Sequence, residues 1–186
     1  LWIKDTITFL QLVENIRIEA FNVSAYGASF VHLDENFKVV TPLYNYLNPY
    51  PPALLKQFYD TYGGELTLSK QTASPVLGNL NSGMQLYRLK HERPRLFKSI
   101  RYSLHLPQFI SYVITGKACT ELTSIGCHTH VWDFEKNSYH RWVLQEGIDK
   151  KFHPILSTCE SGLVKFHNRR GPVGSGVQDC AGSLLP

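Results

Sequence analysis

Ile16-Arg17-Ile18-Glu19-Ala20-Phe21-Asn22-Val23-Ser24 and, shortly after it, Ala28-Ser29-Phe30-Val31-His32-Leu33 are two runs rich in β-branched and aromatic residues. They predict a central strand followed by the first arm of a hairpin. Asp34-Glu35-Asn36 supplies turn residues, and Phe37 to Val40 supplies the second arm. Upstream, residues 1–14 carry Ile3, Ile7, Leu10 and Val13 at the three-and-four spacing of a helix with one apolar stripe. That helix is expected to pack on the sheet.

Downstream, Pro42, Pro49, Pro51, Pro52 and Pro75 bracket one short helical pattern over residues 53–62, which Gly63-Gly64 ends. The remainder of residues 41–81 reads as shaped loop. Helices are then expected over 84–91, over 94–100 with proline in the first turn, and over 107–114 before Thr115-Gly116. A further helix over 139–146 closes at Gly147, and a last strand over 172–177 leads into a helix from about residue 179. No internal repeat is present. The alternation of strands and helices gives an α/β domain.

The chain has 186 residues, enough for one core burying roughly 70% of the unfolded surface. With 43% hydrophobic and 18% charged residues it has a globular composition. No apolar run approaches the roughly 20 residues of a membrane span, so no membrane partner is expected. The net charge of +4 is spread along the chain, and Arg169-Arg170-Gly171 reads as a solvated turn. No nucleic-acid signature accompanies it, and a nucleic-acid partner is not expected. Cys119, Cys127, Cys159 and Cys180 form no CxxC pair and read as reduced thiols of a cytoplasmic protein. The chain starts at Leu1, within a helical pattern, and reads as a piece of a longer protein.

Cys127, His128 and His130, with Cys119 upstream, invite a zinc reading, and on an extended segment the alternate residues His128 and His130 would share one face and could converge. No second ligand pair completes a tetrahedral site, and packing is the preferred reading. GxxxxGK[ST] and GxGxxG are absent. Gly174-Ser175-Gly176-Val177-Gln178-Asp179-Cys180-Ala181-Gly182 sets one carboxylate in a run of glycines. Asp179 there can cap a helix, and the amide dipoles behind it would keep it ionised and able to accept a hydroxyl proton.

Taken in order, several segments resemble the N-terminal, sugar-binding domain of the FGGY carbohydrate kinases. The resemblance is carried by residues 18–27, by His32-Leu33-Asp34, by Leu86-Tyr87-Arg88-Leu89-Lys90 before Glu92-Arg93-Pro94, and by Tyr112-Val113-Ile114-Thr115-Gly116. It continues through residues 121–133, Tyr139-His140-Arg141-Trp142 and Gly147-Ile148-Asp149 to Gly176-Val177-Gln178-Asp179. It departs where the family has a WxDxR segment, since Leu43-Tyr44-Asn45-Tyr46-Leu47-Asn48 has no arginine. The fold implied is RNase H-like, of the actin-like ATPase type, with a mixed sheet and flanking helices, incomplete at both ends. The family's phosphate-binding hairpin and C-terminal nucleotide domain lie outside the sequence.

The activity implied is ATP-dependent phosphorylation of a sugar or polyol hydroxyl, with Asp179 as catalytic base and ATP and Mg held mostly outside this chain. Tyr44, Asn45, Gln71 and Gln178 are the candidate sugar contacts, as polar groups in the proline-bounded loops or beside the base. The chain alone is expected to be inactive, and a homodimer is compatible with this reading. The alternative is a noncatalytic binding or scaffold domain of the same fold.

Overall fold

The computed structural model describes residues 2–13, 20–156, 161–166, 169–174 and 177–178. Helix α1 (Trp2–Val13) is followed by β1 (Ser24–Ala25) and β2 (Phe30–Leu33). Then come α2 (Pro52–Tyr62), α3 (Glu65–Thr72), α4 (Ser82–Glu92), α5 (Pro94–Ser99), β3 (Tyr102–His105) and α6 (Leu106–Thr115). Strand β4 (Thr120–Glu121), α7 (Leu122–Gly126), β5 (Trp132–Asp133), β6 (Ser138–Tyr139), α8 (Arg141–Gln145) and β7 (Ile155–Leu156) continue the chain. It closes on β8 (Ser161–Phe166), β9 (Arg169–Gly174) and β10 (Val177–Gln178). Among the described residues the strands form five two-stranded pairings, β1–β10 and β4–β7 parallel, the other three antiparallel.

The first half of the expected central strand, residues 16–19, lies outside the described residues, and so does the helix expected from residue 179. The expected hairpin is reduced to one antiparallel bridge, Leu33 to Val39. Its turn forms as expected: Asp34 Oδ1 accepts from the backbone of Asn36 and Lys38, and Phe37 takes φ 60°. The full-length partner of β2 is β3, paired from Phe30 with His105 to Leu33 with Tyr102. β3 follows a proline-started helix in a stretch without strong alternation, which is why the sequence does not announce it.

Residues 41–81 are more ordered than a shaped loop. Helix α3 is held by two residues, Leu68 and Thr72, buried beneath a polar surface, a pattern too sparse to read as a stripe. Arg169-Arg170-Gly171 is not a turn but the start of β9, paired with Phe166, Lys165 and Val164. The α2 terminus follows its sequence closely: Pro52 opens it, and Gly63 at φ 99° closes it by donating to the Tyr59 carbonyl.

The main core gathers on α4, whose Met84, Leu86, Tyr87 and Leu89 are all buried. Trp142, fully buried, meets Phe58 edge-on with centroids 5.0 Å apart, and its Nε1 donates to the His130 carbonyl at 2.6 Å. Gly83 lets this helix approach the 129–131 segment, where a Cβ would lie 2.5 Å from Val131 Cγ2 and 2.7 Å from the Thr129 carbonyl. A second cluster, Val31, Leu33 and Leu104, packs against Phe37, Tyr102, Phe109 and Tyr112. No described helix is long and apolar enough to cross a membrane.

Candidate functional site

Three chain segments built from quite different local signals meet around one cavity. The first is the loop over residues 44–49, where prolines suppress helix and strand and Asn45 Oδ1 folds back onto the Leu47 amide at 2.9 Å. The second is the face of α4 carrying Gln85, Arg88, Leu89 and Glu92, at three- and four-residue steps. The third is Asn79, in the short 3₁₀ turn Gly78–Leu80 that leads into α4. Together with Arg93 they enclose a cavity of about 400 Å3.

The cavity wall is fixed by hydrogen bonds between these segments. Asn79 Nδ2 donates to the Asn48 carbonyl at 2.7 Å, and Gln85 Nε2 donates to the carbonyls of Asn79 at 2.6 Å and Ala28 at 2.7 Å. Tyr44 lines the cavity, and its buried hydroxyl has no hydrogen-bond partner among the described residues. The Tyr44 ring lies 6.3 Å from that of His32, whose Nδ1 meets Ser103 Oγ at 2.9 Å and whose Nε2 is likewise buried and unpartnered.

Ala28 connects this wall to the strand edge. It follows β1 by a short turn, and β1 runs parallel to β10 with Ser24 opposite Val177 and Ala25 opposite Gln178. Helices α6 and α7 both pack on β10. Glu121 caps α7, its carboxylate accepting from the Thr123 and Ser124 amides and the Thr123 hydroxyl. Burial raises the Glu121 pKa above its ordinary value, and these hydrogen bonds oppose the rise without cancelling it.

The sequence-derived site residues therefore fall in three places. Tyr44 and Asn45 line the cavity. Gln178 sits at the end of β10 beside Ala25, and Asp179, the residue after it, lies outside the described residues. Gln71 is not a lining residue; near the end of α3, its Oε1 accepts from His140 Nε2 at 2.8 Å. The lining residues Asn79, Gln85, Arg88, Glu92 and Arg93 escaped the sequence reading. The signal for four of them was present as a polar stripe at positions 85, 88 and 92, continuing to 93, on an otherwise buried helix.

The residues that invited a zinc reading are arranged differently from the extended segment that reading needs. His128 and His130 both take left-handed backbone conformations, φ 57° and 62°, so they do not project as neighbours on a strand. Thr72 gives its hydroxyl proton to the Leu68 carbonyl, so its oxygen accepts from His130 Nδ1, and Tyr59 donates to Nε2, both at 3.0 Å. Both ring nitrogens are engaged. Among the described residues no three His, Cys, Asp or Glu side chains are grouped to hold a metal ion, so they offer Mg no all-protein cage. Cys119 and Cys127 are not disulfide-bonded.

No family model matches the chain. The rhamnulokinase of Halalkalibacterium halodurans is 26% identical over 120 residues, 61% of this chain and 25% of that protein. The chain thus spans about a quarter of the length of that relative. A carbohydrate kinase from Novosphingobium aromaticivorans superposes with a TM-score of 0.80 at 20% identity, over 98% of this chain and 40% of its own. The xylulose kinase of Rhodospirillum rubrum does so at 0.83 and 15% identity, over 99% and 40%. These proteins are FGGY carbohydrate kinases, and the chain has their actin-like, mixed α/β fold.

Proposed function

We propose that this chain forms part of the N-terminal, sugar-binding domain of an ATP-dependent carbohydrate kinase, with Asp179 as the general base. The observation that carries the reading is the parallel register of β1 and β10, Ala25 against Gln178, in a fold shared with carbohydrate kinases. Residue 179 directly follows the carboxyl end of a parallel strand, the edge at which open α/β sheets bind their ligands. The Gln85 bond to Ala28 joins that edge to the cavity holding Tyr44 and Asn45. The sugar would occupy this cavity, with Tyr44 and Asn45 as contacts and Gln178 beside the base, while Gln71, bonded to His140, stands outside it.

In this account Asp179 accepts the proton of the sugar hydroxyl as the hydroxyl oxygen bonds to the γ-phosphorus of ATP and the bond from that phosphorus to ADP, the leaving group, breaks. Positioning of that hydroxyl by the cavity wall supplies the remaining contribution of this chain. ATP and Mg as phosphoryl donor and metal rest on the fold likeness. The protein is assigned to the cytoplasm on the same footing.

The test is a screen of the full-length protein with ATP against ketoses, polyols and deoxy sugars, following ADP release. Sugar-dependent ADP release is expected with at least one class. Release with none would favour the noncatalytic binding domain.

A further inference from the structure

A second cavity, of about 400 Å3, lies where the turn after β2, the end of α5 and the 3₁₀ turn Asp149–Lys151 come together. It shares no lining residue with the cavity described above. Its wall carries three cations from separate places in the sequence, Lys98, Arg101 and Lys151, and two carboxylates, Asp34 and Glu35. Despite that mixture, none of the three cations forms an ion pair with a described residue.

Two of the cations are held in place by groups that leave their charge uncompensated. Lys151 Nζ donates to the Ile100 carbonyl at 2.6 Å and stands 4.7 Å from the Phe97 ring centroid. Arg101 Nη1 donates to the Lys150 carbonyl at 3.4 Å, and the guanidinium carbon lies 4.9 Å from the Tyr102 ring centroid. Both side chains are thus oriented by neutral partners and keep further N–H groups for a ligand. Burial and, after it, the Arg101 charge lower the Lys151 pKa, so the two cations act on each other across the cavity.

The carboxylates do not answer this charge equally. Asp34 Oδ1 accepts from the backbone amides of Asn36 at 2.8 Å and Lys38 at 2.9 Å, which take up its charge within its own turn. Glu35 is exposed and forms no ion pair with a described residue. Three cations set against the Glu35 carboxylate leave two positive charges facing the cavity. A phosphate group carries about −1.5 to −2 at pH 7 and three acceptor oxygens, which suit a guanidinium fork and two ammonium groups together. A single carboxylate would supply half the charge and fewer oxygens.

We infer that this second cavity is a binding site for a phosphate dianion, either inorganic phosphate or a small phosphate monoester, held between the Arg101 fork and the Lys98 and Lys151 ammonium groups. The inference stands apart from the kinase reading. It concerns different residues and assigns no step of transfer to them.

The test is acetylation of the full-length protein by acetic anhydride, read lysine by lysine with peptide mass spectrometry in sodium phosphate, methyl phosphate or chloride. Ionic strength is matched so that screening is equal in all three. Lys98 and Lys151 are expected to react at least about threefold more slowly in one of the phosphates than in chloride, by mass action at the site. Lys56, paired with Asp60 on α2, is expected to react equally in all. Stronger protection by methyl phosphate identifies an esterified ligand, and stronger protection by phosphate the free ion. Arg101→Gln should abolish the protection, and Lys98→Gln, at an exposed position, should weaken it at Lys151 and keeps the test decisive if the first variant fails to fold. Equal reaction in phosphates and chloride, equal protection of Lys56, or protection that survives substitution would overturn the inference. Sugar-dependent ADP release is expected to persist in Lys98→Gln, so failure of the kinase reading and failure of this site are read separately.

Discussion

The side-chain amide of Gln85 donates to the backbone carbonyl of Ala28 at 2.7 Å across 57 positions of sequence, and to that of Asn79 at 2.6 Å. One nitrogen thus ties the cavity wall to the segment leaving β1. Replacing Gln85 with Leu keeps the volume near constant and leaves both carbonyls without this donor. A loss of about 1–3 kcal/mol in unfolding free energy is expected, read from the urea midpoint. A midpoint within error of the parent would show that the two bonds do not hold the wall.

Gly83 sits where α4 meets the 129–131 segment, its amide donating to the Thr129 carbonyl at 3.1 Å. Two of the three atoms nearest an added Cβ, Val131 Cγ2 and the Thr129 oxygen, lie under 3.0 Å away, and the oxygen belongs to backbone. Gly83→Ala should therefore destabilise by roughly 1–3 kcal/mol through overpacking, despite the better helix propensity of alanine. A stabilised variant in thermal unfolding would contradict the packing described.

Buried histidines give the protein a specific acid sensitivity. Desolvation lowers His32 and His105 from 6.5 to about 3, with His32 adding to the effect at His105, and lowers His130 to about 4, with His140 contributing. The folded form then binds fewer protons than the unfolded form between those values and 6.5. Their stabilising contribution is complete above pH 6.5 and is lost as pH falls toward 4 and 3. Between pH 6 and 5 the slope of stability against pH is expected to exceed about 1.4 kcal/mol per unit, more than one proton taken up on unfolding. His130→Gln should reduce that slope by about one proton, and a flat profile from pH 7 to 5 would refute it.

Much of the fold was legible because its signals are local. Pro52 and Gly63 bound α2, Pro94 opens α5, and Gly116 and Gly147 stop their helices with φ 74° and 64°. What stayed hidden depends on distant partners. β3 exists because Phe30 to Leu33 offers it a ladder, and Arg169-Arg170-Gly171 is a strand because residues 164–166 pair with it. The extended segment that a zinc reading would need at His128 and His130 is absent for the same reason, since Tyr59 and Thr72 hold His130 from other helices. Of the site, Tyr44 and Asn45 were visible as polar residues among prolines. Gln85, Arg88 and Glu92 were not, because a polar stripe on a helix reads equally as a solvated face until a loop is seen to cover it.

The central claim is that Asp179, one residue beyond the strand paired with β1, takes the proton of the sugar hydroxyl. The most direct measurement is sugar-dependent ADP release by the full-length protein carrying Asp179→Asn, with ATP binding measured alongside. The account predicts a fall in turnover of roughly 10²–10⁴-fold with ATP binding retained. Turnover within a few-fold of the parent would contradict it.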